Sequence, residues 1–304
     1  HITVPLPVIV RGENGRWHLF SSSRVAHGQS YEGFYIAQGG DYDGKIVERN
    51  AAGEEVRPID LSLTKTAFAL LFNSALLMLI VLGAARWYKR HPVRTSAPGG
   101  FVGLMEAAVM MIHDDLIKSC VGKDYKRFAP YLLTVFFFIL INNLMGLVPI
   151  FPGGANVTGN IAITLLLAIA TFIMTNVFGT REYWKEIFWP EVPTWLKCPV
   201  PMMPAIEFVG ILTKPFALMI RLFANMMAGH AVILSLTCLV FVTVSMGPVV
   251  NGSMTVVSVI FCIFMNLLEL LVAFIQAYVF TMLSAVFIGL ARVEPHHKKE
   301  EQEI

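Results

Sequence analysis

Residues 204–245 read PAIEFVGILTKPFALMIRLFANMMAGHAVILSLTCLVFVTVS, and residues 253–291 read SMTVVSVIFCIFMNLLELLVAFIQAYVFTMLSAVFIGLA. These runs of 42 and 39 residues carry very little charge. As helices they would each extend roughly 60 Å at 1.5 Å per residue. A bilayer offers a hydrocarbon core of about 30 Å. Two upright crossings cannot accommodate that length, so the spacing predicts a long, strongly tilted helical hairpin. Pro204, Gly210, Pro215 and Gly229 offer places to bend, and the turn is expected over 246–253.

The rest of the chain fits a membrane protein. Of 304 residues, 56% are apolar and 14% charged, with a mean hydropathy of +0.64. Soluble domains carry about 25% charged residues. No charged residue lies between Arg127 and Arg181, and between Arg221 and Glu269 only His230 is ionisable. Soluble enzymes are excluded, and so is a transmembrane barrel, whose strands would alternate in polarity. The near balance of 23 bases against 21 acids gives no case for a nucleic-acid partner. The fold class expected is an all-α polytopic membrane protein with about five crossings and one amphipathic surface helix.

Working outward, the first crossing is expected over 66–85, closed by Arg86-Trp87-Tyr88-Lys89-Arg90 at headgroup level. Residues 101–119 mix apolar positions with Glu106, His113, Asp114 and Asp115, which suits a helix lying on the membrane. Residues 129–150 and 156–178 form a further helical pair, followed by a polar, proline-rich connection over 180–203. Lys and Arg concentrate in 86–127, 180–203 and 292–304, while the turns 149–155 and 246–253 have none. The positive-inside rule places the three basic segments on one side. Residues 1–60 are polar and turn-rich, an extramembrane segment with short strands. The organisation read from the chain is thus 1–60 extramembrane, 61–291 transmembrane and 292–304 a polar tail.

Glu207, Lys214, Arg221, His230 and Glu269 interrupt the last two apolar runs. Ionisable groups at membrane depth are costly and mark ion paths, although Lys214 also suits snorkelling to an interface. Glu207, Lys214 and Arg221 recur every seven residues, about 20° short of two turns, so they share one stripe that Asn225 extends. Glu269 and Gln276 repeat the spacing on the last helix. In a hairpin turning near 249–250, facing residues have numbers summing to about 499. His230 with Glu269 meets this, and Arg221 with Gln276 nearly does. His230 is nine residues beyond Arg221, half a revolution away, so two separate polar environments are expected.

The run from Glu207 through Arg221 and Asn225 to His230 resembles the signature of subunit a of F-type ATP synthases. So does Leu267-Leu268-Glu269 continuing to Gln276, and Asn142-Asn143-Leu-Met-Gly-Leu-Val-Pro149 is similar to an earlier family stretch. The resemblance covers roughly 98–292 and leaves out 1–60. It implies a stator channel in which Arg221 faces the rotor carboxylate, with Asn225 and Gln276 as its polar neighbours. Glu207 would serve an inner half-channel, and His230 and Glu269 an outer one. The implied partners are the rotor c-ring subunits, the peripheral stalk and other membrane subunits, and the lipid bilayer. Many bacterial members exchange His and Glu at these two positions, so the order here resembles mitochondrial and alphaproteobacterial members. That points to the mitochondrial inner membrane first and a bacterial plasma membrane second.

No catalytic centre of its own is expected. Gly122-Lys123-Asp124 lacks the upstream glycine and the Ser/Thr of a phosphate-binding loop, so ATP chemistry belongs to a partner. No cofactor or metal site is expected either. Cys120, Cys198, Cys238 and Cys262 are widely spaced and read as free, buried thiols, and His296-His297 as a solvated tail. A secondary transporter would show an internal repeat, and none is evident. A plain membrane anchor would not need the intramembrane charges.

Overall fold

The computed structural model describes residues 5–39, 42–50, 53–91, 99–148, 156–188 and 202–292. The chain divides into two compact units, residues 1–72 and 73–304.

The first unit holds two three-stranded antiparallel sheets. Strands β1 (Pro7–Arg11), β2 (Trp17–Ser21) and β6 (Ile59–Asp60) form one, in the order β2-β1-β6. Strands β3 (Phe34–Ile36), β4 (Ile46–Arg49) and β5 (Glu55–Val56) form the other, in sequence order. Alternation along β1 and β2 sends Val8, Val10 and Phe20 inward, where they meet Val25 and Phe34 in a small core. These are the short strands expected for the N-terminal segment. Helix α1 (Lys65–Arg90) begins in this unit and runs on into the next.

The second unit is helical. Helix α2 (Gly100–Met110) continues through a wide π turn (Met111–Ile117) into the single turn α3 (Lys118–Val121), and α4 (Tyr125–Leu147) follows directly. After α4 come α5 (Ile161–Val177) and a short α6 (Arg181–Phe188). Two long helices close the order, α7 (Met202–Val242) and α8 (Pro248–Leu290). They run 41 and 43 residues without a break, even though Pro215 lies inside α7. A helix of about 60 Å fits a 30 Å layer only when inclined by roughly 60°. The expected hairpin is present, with one correction. Its turn is Thr243–Gly247, because Gly247 takes φ 105° and Pro248 suits the first helical position, so α8 starts five residues earlier than expected.

Helix α4 packs mainly on α8, and α5 mainly on α7, while Tyr131 of α4 still reaches Thr171 of α5 at 3.0 Å. Neutral polar groups tie the bundle together. Asn73 donates to Asn142 at 3.0 Å, and Asn143 donates to the Ala273 carbonyl at 3.2 Å. The stretch expected on the membrane surface is amphipathic, with Asp114, Asp115 and Lys118 exposed. From residue 111 onward its apolar side is covered by protein, with Ile112, Leu116, Ile117 and Val121 in the core shared with α4 and α8, while Phe101, Leu104 and Met110 stay exposed. At the basic end, Arg292 donates from Nε to Asp124 at 2.7 Å and from Nη1 to the Phe178 carbonyl at 3.2 Å. The start of α4 and the ends of α5 and α8 therefore meet, as one shared basic side requires.

Three cysteines are free thiols, but they are not buried as expected. Cys238 is exposed, and Cys120 and Cys262 are half-buried. Apolar helix faces here meet lipid and not protein, so a small apolar residue need not be enclosed. Cys198, His296 and His297, the turn 149–155 and most of the tail lie outside the described residues.

One contact depends on a missing side chain. A Cβ at Gly289 of α8 would stand 2.1 Å from the Cys120 carbonyl oxygen, and a backbone atom cannot swing away. Gly289→Ala should therefore lower stability by about 1–3 kcal/mol. Gly210→Ala, where nothing lies within 4 Å, should cost little. Thermal unfolding of the purified chain in detergent checks the contrast, and equal midpoints would show that the approach is not obligatory.

Candidate functional site

Helices α7 and α8 place the polar residues singled out by spacing against one another. His230 Nδ1 lies 2.6 Å from Glu269 Oε1, with the carboxylate almost fully buried and the imidazole one-third exposed. The two atoms are in contact without the alignment of a hydrogen bond. One pair of turns below, Asn225 donates from Nδ2 to Gln276 Oε1 at 2.7 Å. Gln276 is buried. It therefore meets Asn225, four residues beyond the Arg221 that the counting favoured.

The numbering rule survived the corrected turn for a geometric reason. At the turn itself Thr243 donates to Asn251 at 3.1 Å, which centres the hairpin on Gly247. Side chains on a helix lean toward its N-terminus. In α7 that is away from the turn, and in α8 toward it. Contacting residues then sum to several more than twice the midpoint, and the true turn gives nearly the value expected from the wrong one.

Gly229 makes the His230–Glu269 contact possible. A Cβ there would come within 2.9 Å of Glu269 Oε1 and 3.1 Å of its Cδ. The glycine lets the carboxylate lie flat against α7.

Arg221 takes part in neither pair. It is exposed on α7, and among the described residues it has no hydrogen bond and no counter-ion. Its neighbours on that face, Ala217, Ala224 and Ala228, are small and also exposed. Behind it, Leu218, Leu222 and Met226 are fully buried in the bundle. A permanent cation thus stands on an otherwise apolar surface smooth enough for another helix to approach.

Two cavities flank this point. The outer one, about 330 Å³, lies between the turn-proximal halves of α7 and α8 and is lined by Thr237, Thr255, Ser258 and Asn266 among apolar residues. It reaches within one helical turn of Glu269, and the Ser258 hydroxyl is buried there without a partner. The inner one is small, about 10 Å³, and is bounded by Thr171, Thr175, Asn176, Tyr183, Lys214 and Pro215. That volume is close to the room one water needs.

Glu207 stands exposed at the inner end, one turn from Ile211. The Tyr183 hydroxyl is held above its ordinary range, by burial first and by the Glu207 charge second. It donates to Asn176 Oδ1 at 3.4 Å. Lys214 is half-buried, with Nζ 5.5 Å from the Phe287 ring centre. Sequence reasoning missed Tyr183, Asn176 and the hydroxyls of Tyr131, Thr171 and Ser284. Tyr131 lies 3.0 Å from Thr171, which lies 3.4 Å from Ser284. They come from four separate helices, and neutral groups raise no signal in an apolar run. Only the buried side of α5, where Thr164, Thr171 and Thr175 repeat at helical spacing, hinted at them.

Residues 70–289 match the family described as ATP synthase A chain. The chain belongs to that family. Residues 1–62 match a second family, described as a domain of unknown function (DUF8433). The ATP synthase subunit a of Chloroherpeton thalassium is 44% identical over 254 residues, 81% of this chain and 71% of that protein. Those of Chlorobium phaeobacteroides and Myxococcus xanthus are 43% and 41% identical over 85% and 79% of this chain, and over 75% and 76% of their own lengths. These relatives are bacterial. The expected likeness to mitochondrial and alphaproteobacterial members, and with it the mitochondrial inner membrane, is not supported. The physical reason is plain: a touching acid and imidazole make the same pair whichever helix carries which, so their order says little about descent.

In this ATP synthase A chain, Gly229→Ala should push Glu269 off His230. Overpacking of about 1–2 kcal/mol converts to roughly a tenfold fall in proton pumping by the assembled complex. Acidification of inverted vesicles on ATP addition measures it, and a wild-type rate would mean that the carboxylate does not need this position.

Proposed function

We propose that this chain carries protons past the rotor of an ATP synthase through two half-channels that do not join, in a bacterial plasma membrane. The family is that of a proton-translocating membrane subunit, and ATP chemistry is done by other subunits of the complex. The observation that carries the reading is the exposed Arg221, without a partner among the described residues, standing between two cavities on either side of it along one helical hairpin.

A proton entering the outer cavity meets the His230–Glu269 pair, whose imidazole nitrogen and carboxylate oxygen lie 2.6 Å apart and offer it two neighbouring sites. From the pair it passes to a carboxylate on a rotor c-ring subunit. Neutralised, that carboxylate can turn through lipid. On the other flank the proton leaves toward Glu207 through the polar groups around Tyr183, Asn176 and Lys214. The ionised carboxylate then returns past Arg221, whose fixed charge favours the deprotonated form. Asn225 and Gln276 hold α7 and α8 in register beside it. Exposed Ala217, Ala224 and Ala228 let the rotor helix come close. The peripheral stalk and other membrane subunits would hold the chain still against the torque. Each proton delivers about 2.3 kcal/mol per 100 mV of potential.

Replacing Arg221 by Ala or Gln should abolish synthesis while leaving the complex assembled. A charge pair at about 4 Å with an effective dielectric near 20 amounts to about 4 kcal/mol, roughly a thousandfold in rate. Arg221→Lys should fail as well, since a shorter ammonium can lose its proton when desolvated. Membranes bearing each variant are assayed for subunit content, potential-driven synthesis and passive proton leak. Normal synthesis with alanine would end the proposal. So would rescue by lysine together with poor assembly of the alanine form, which is the pattern of a helix tether.

A further inference from the structure

The N-terminal unit has an apolar face that its own core does not use. In the sheet β2-β1-β6 the register pairs Leu19 with Ile9 and Trp17 with Arg11, and pairs Arg11 with Ile59 on the other edge. Pairing continues past β6, with Leu61 donating to the Ile9 carbonyl at 2.9 Å and Leu63 to the Pro7 carbonyl at 3.3 Å. Alternation therefore sets Leu63, Leu61, Ile59, Ile9, Leu19 and Trp17 on the side opposite the core. Leu19 is 73% exposed, Leu61 61%, Ile59 58% and Trp17 54%. Among the described, paired residues of this face the one charged side chain is Arg11, whose guanidinium lies 5.9 Å from the Trp17 ring centre. Asp60 pairs with Val10 and so belongs to the other side.

We propose that this face lies on the lipid surface at the point where α1 enters the membrane. The argument is continuity. The last paired residue, Leu63, precedes Lys65, the first residue of α1, by only two positions. Two extended residues reach at most about 7 Å. The hydrogen-bonded edge of the sheet is thus fixed beside the start of a helix that must begin at headgroup level, with no slack to lift it away. The composition agrees. Trp and Arg side by side are the residues that anchor to headgroups, with the ring at the interface and the cation toward phosphate. Leucine and isoleucine beside them supply apolar area, and no acid on this face would repel an anionic lipid. A protein partner is the competing occupant, and the test separates the two.

The full chain is reconstituted in phosphatidylcholine vesicles, alone and within the assembled complex, and compared with its Trp17→Phe variant. The difference in fluorescence isolates Trp17. Lipids brominated near the headgroup end of the acyl chains should quench that emission about twofold or more, in both preparations, while aqueous iodide should not. Leu19→Glu, at a position too exposed to disturb the fold, should relieve the quenching. Ready quenching by iodide would overturn the proposal by placing the face in water. Protection from both quenchers confined to the assembled complex would overturn it in favour of a protein partner. Unchanged lipid quenching in Leu19→Glu would also overturn it, since the face would not be what binds.

Discussion

Arg221 carries a charge it cannot shed, and among the described residues it has no counter-ion. An arginine at membrane depth is expensive, and most proteins that keep one pair it internally. Here the neighbouring polar residues are engaged elsewhere. Asn225 is committed to Gln276, and His230 to Glu269. The leucines behind Arg221 are locked into the bundle, so the side chain cannot retreat toward a carbonyl there. In the proposed mechanism the negative charge that meets Arg221 comes from the rotor, and the exposed alanines beside it set how near that charge can come.

The second constraint is length. Arg221 lies at the middle of Met202–Val242 and Glu269 at the middle of Pro248–Leu290. Helices twice as long as the layer is thick must run obliquely. One consequence is that a single pair of helices supplies polar residues at both faces while keeping its centre at mid-depth. Glu207 and the inner cavity sit toward one end of the hairpin. The outer cavity sits toward the other. Ordinary upright crossings would need at least four helices to offer the same set of positions. The cost is a large apolar surface on α7 and α8, exposed along most of their length, which lipid and partner helices must cover.

Much of this was legible because a helix is a regular rod. A recurrence of seven placed Glu207, Lys214 and Arg221 on one stripe, and a constant rise per residue let pairing across the hairpin be counted before any coordinates. The count chose the wrong turn and still found His230–Glu269, since the lean of the side chains offset the error. It paired Gln276 with Arg221, where the structure has Asn225. Arg221 and Asn225 are one turn apart, and only packing distinguishes them. The inner hydroxyls were illegible for a different reason. Tyr131, Thr171, Ser284 and Tyr183 converge through tertiary packing of helices far apart in sequence, and each alone is an ordinary residue in its helix. Gly289 was equally silent, since nothing local announces that a carbonyl will pass where its side chain would be. The buried position of the stretch 111–121 was hidden by its acids, which mark one face of a helix and say nothing of what covers the other.

Keeping the cavities apart is as important as having them. A continuous file of water would let protons fall through the potential without turning anything, dissipating about 2.3 kcal/mol per 100 mV each. Between the inner cavity, which ends at Leu218, and the outer one, which begins at Thr237, α7 presents Leu222 and Met226 to the bundle. Both are fully buried, and Gly146 of α4 lies beside Met226. At this level Asn225 donates to Gln276 Oε1, the Gln276 amide nitrogen is buried without a partner among the described residues, and Arg221 is the cation. A proton on its way through the chain would have to pass close to Arg221, where like charge opposes it. In the proposed mechanism this apolar packing is the barrier to water and the arginine the barrier to the bare proton, and the route from one cavity to the other is by way of a carrier outside the chain.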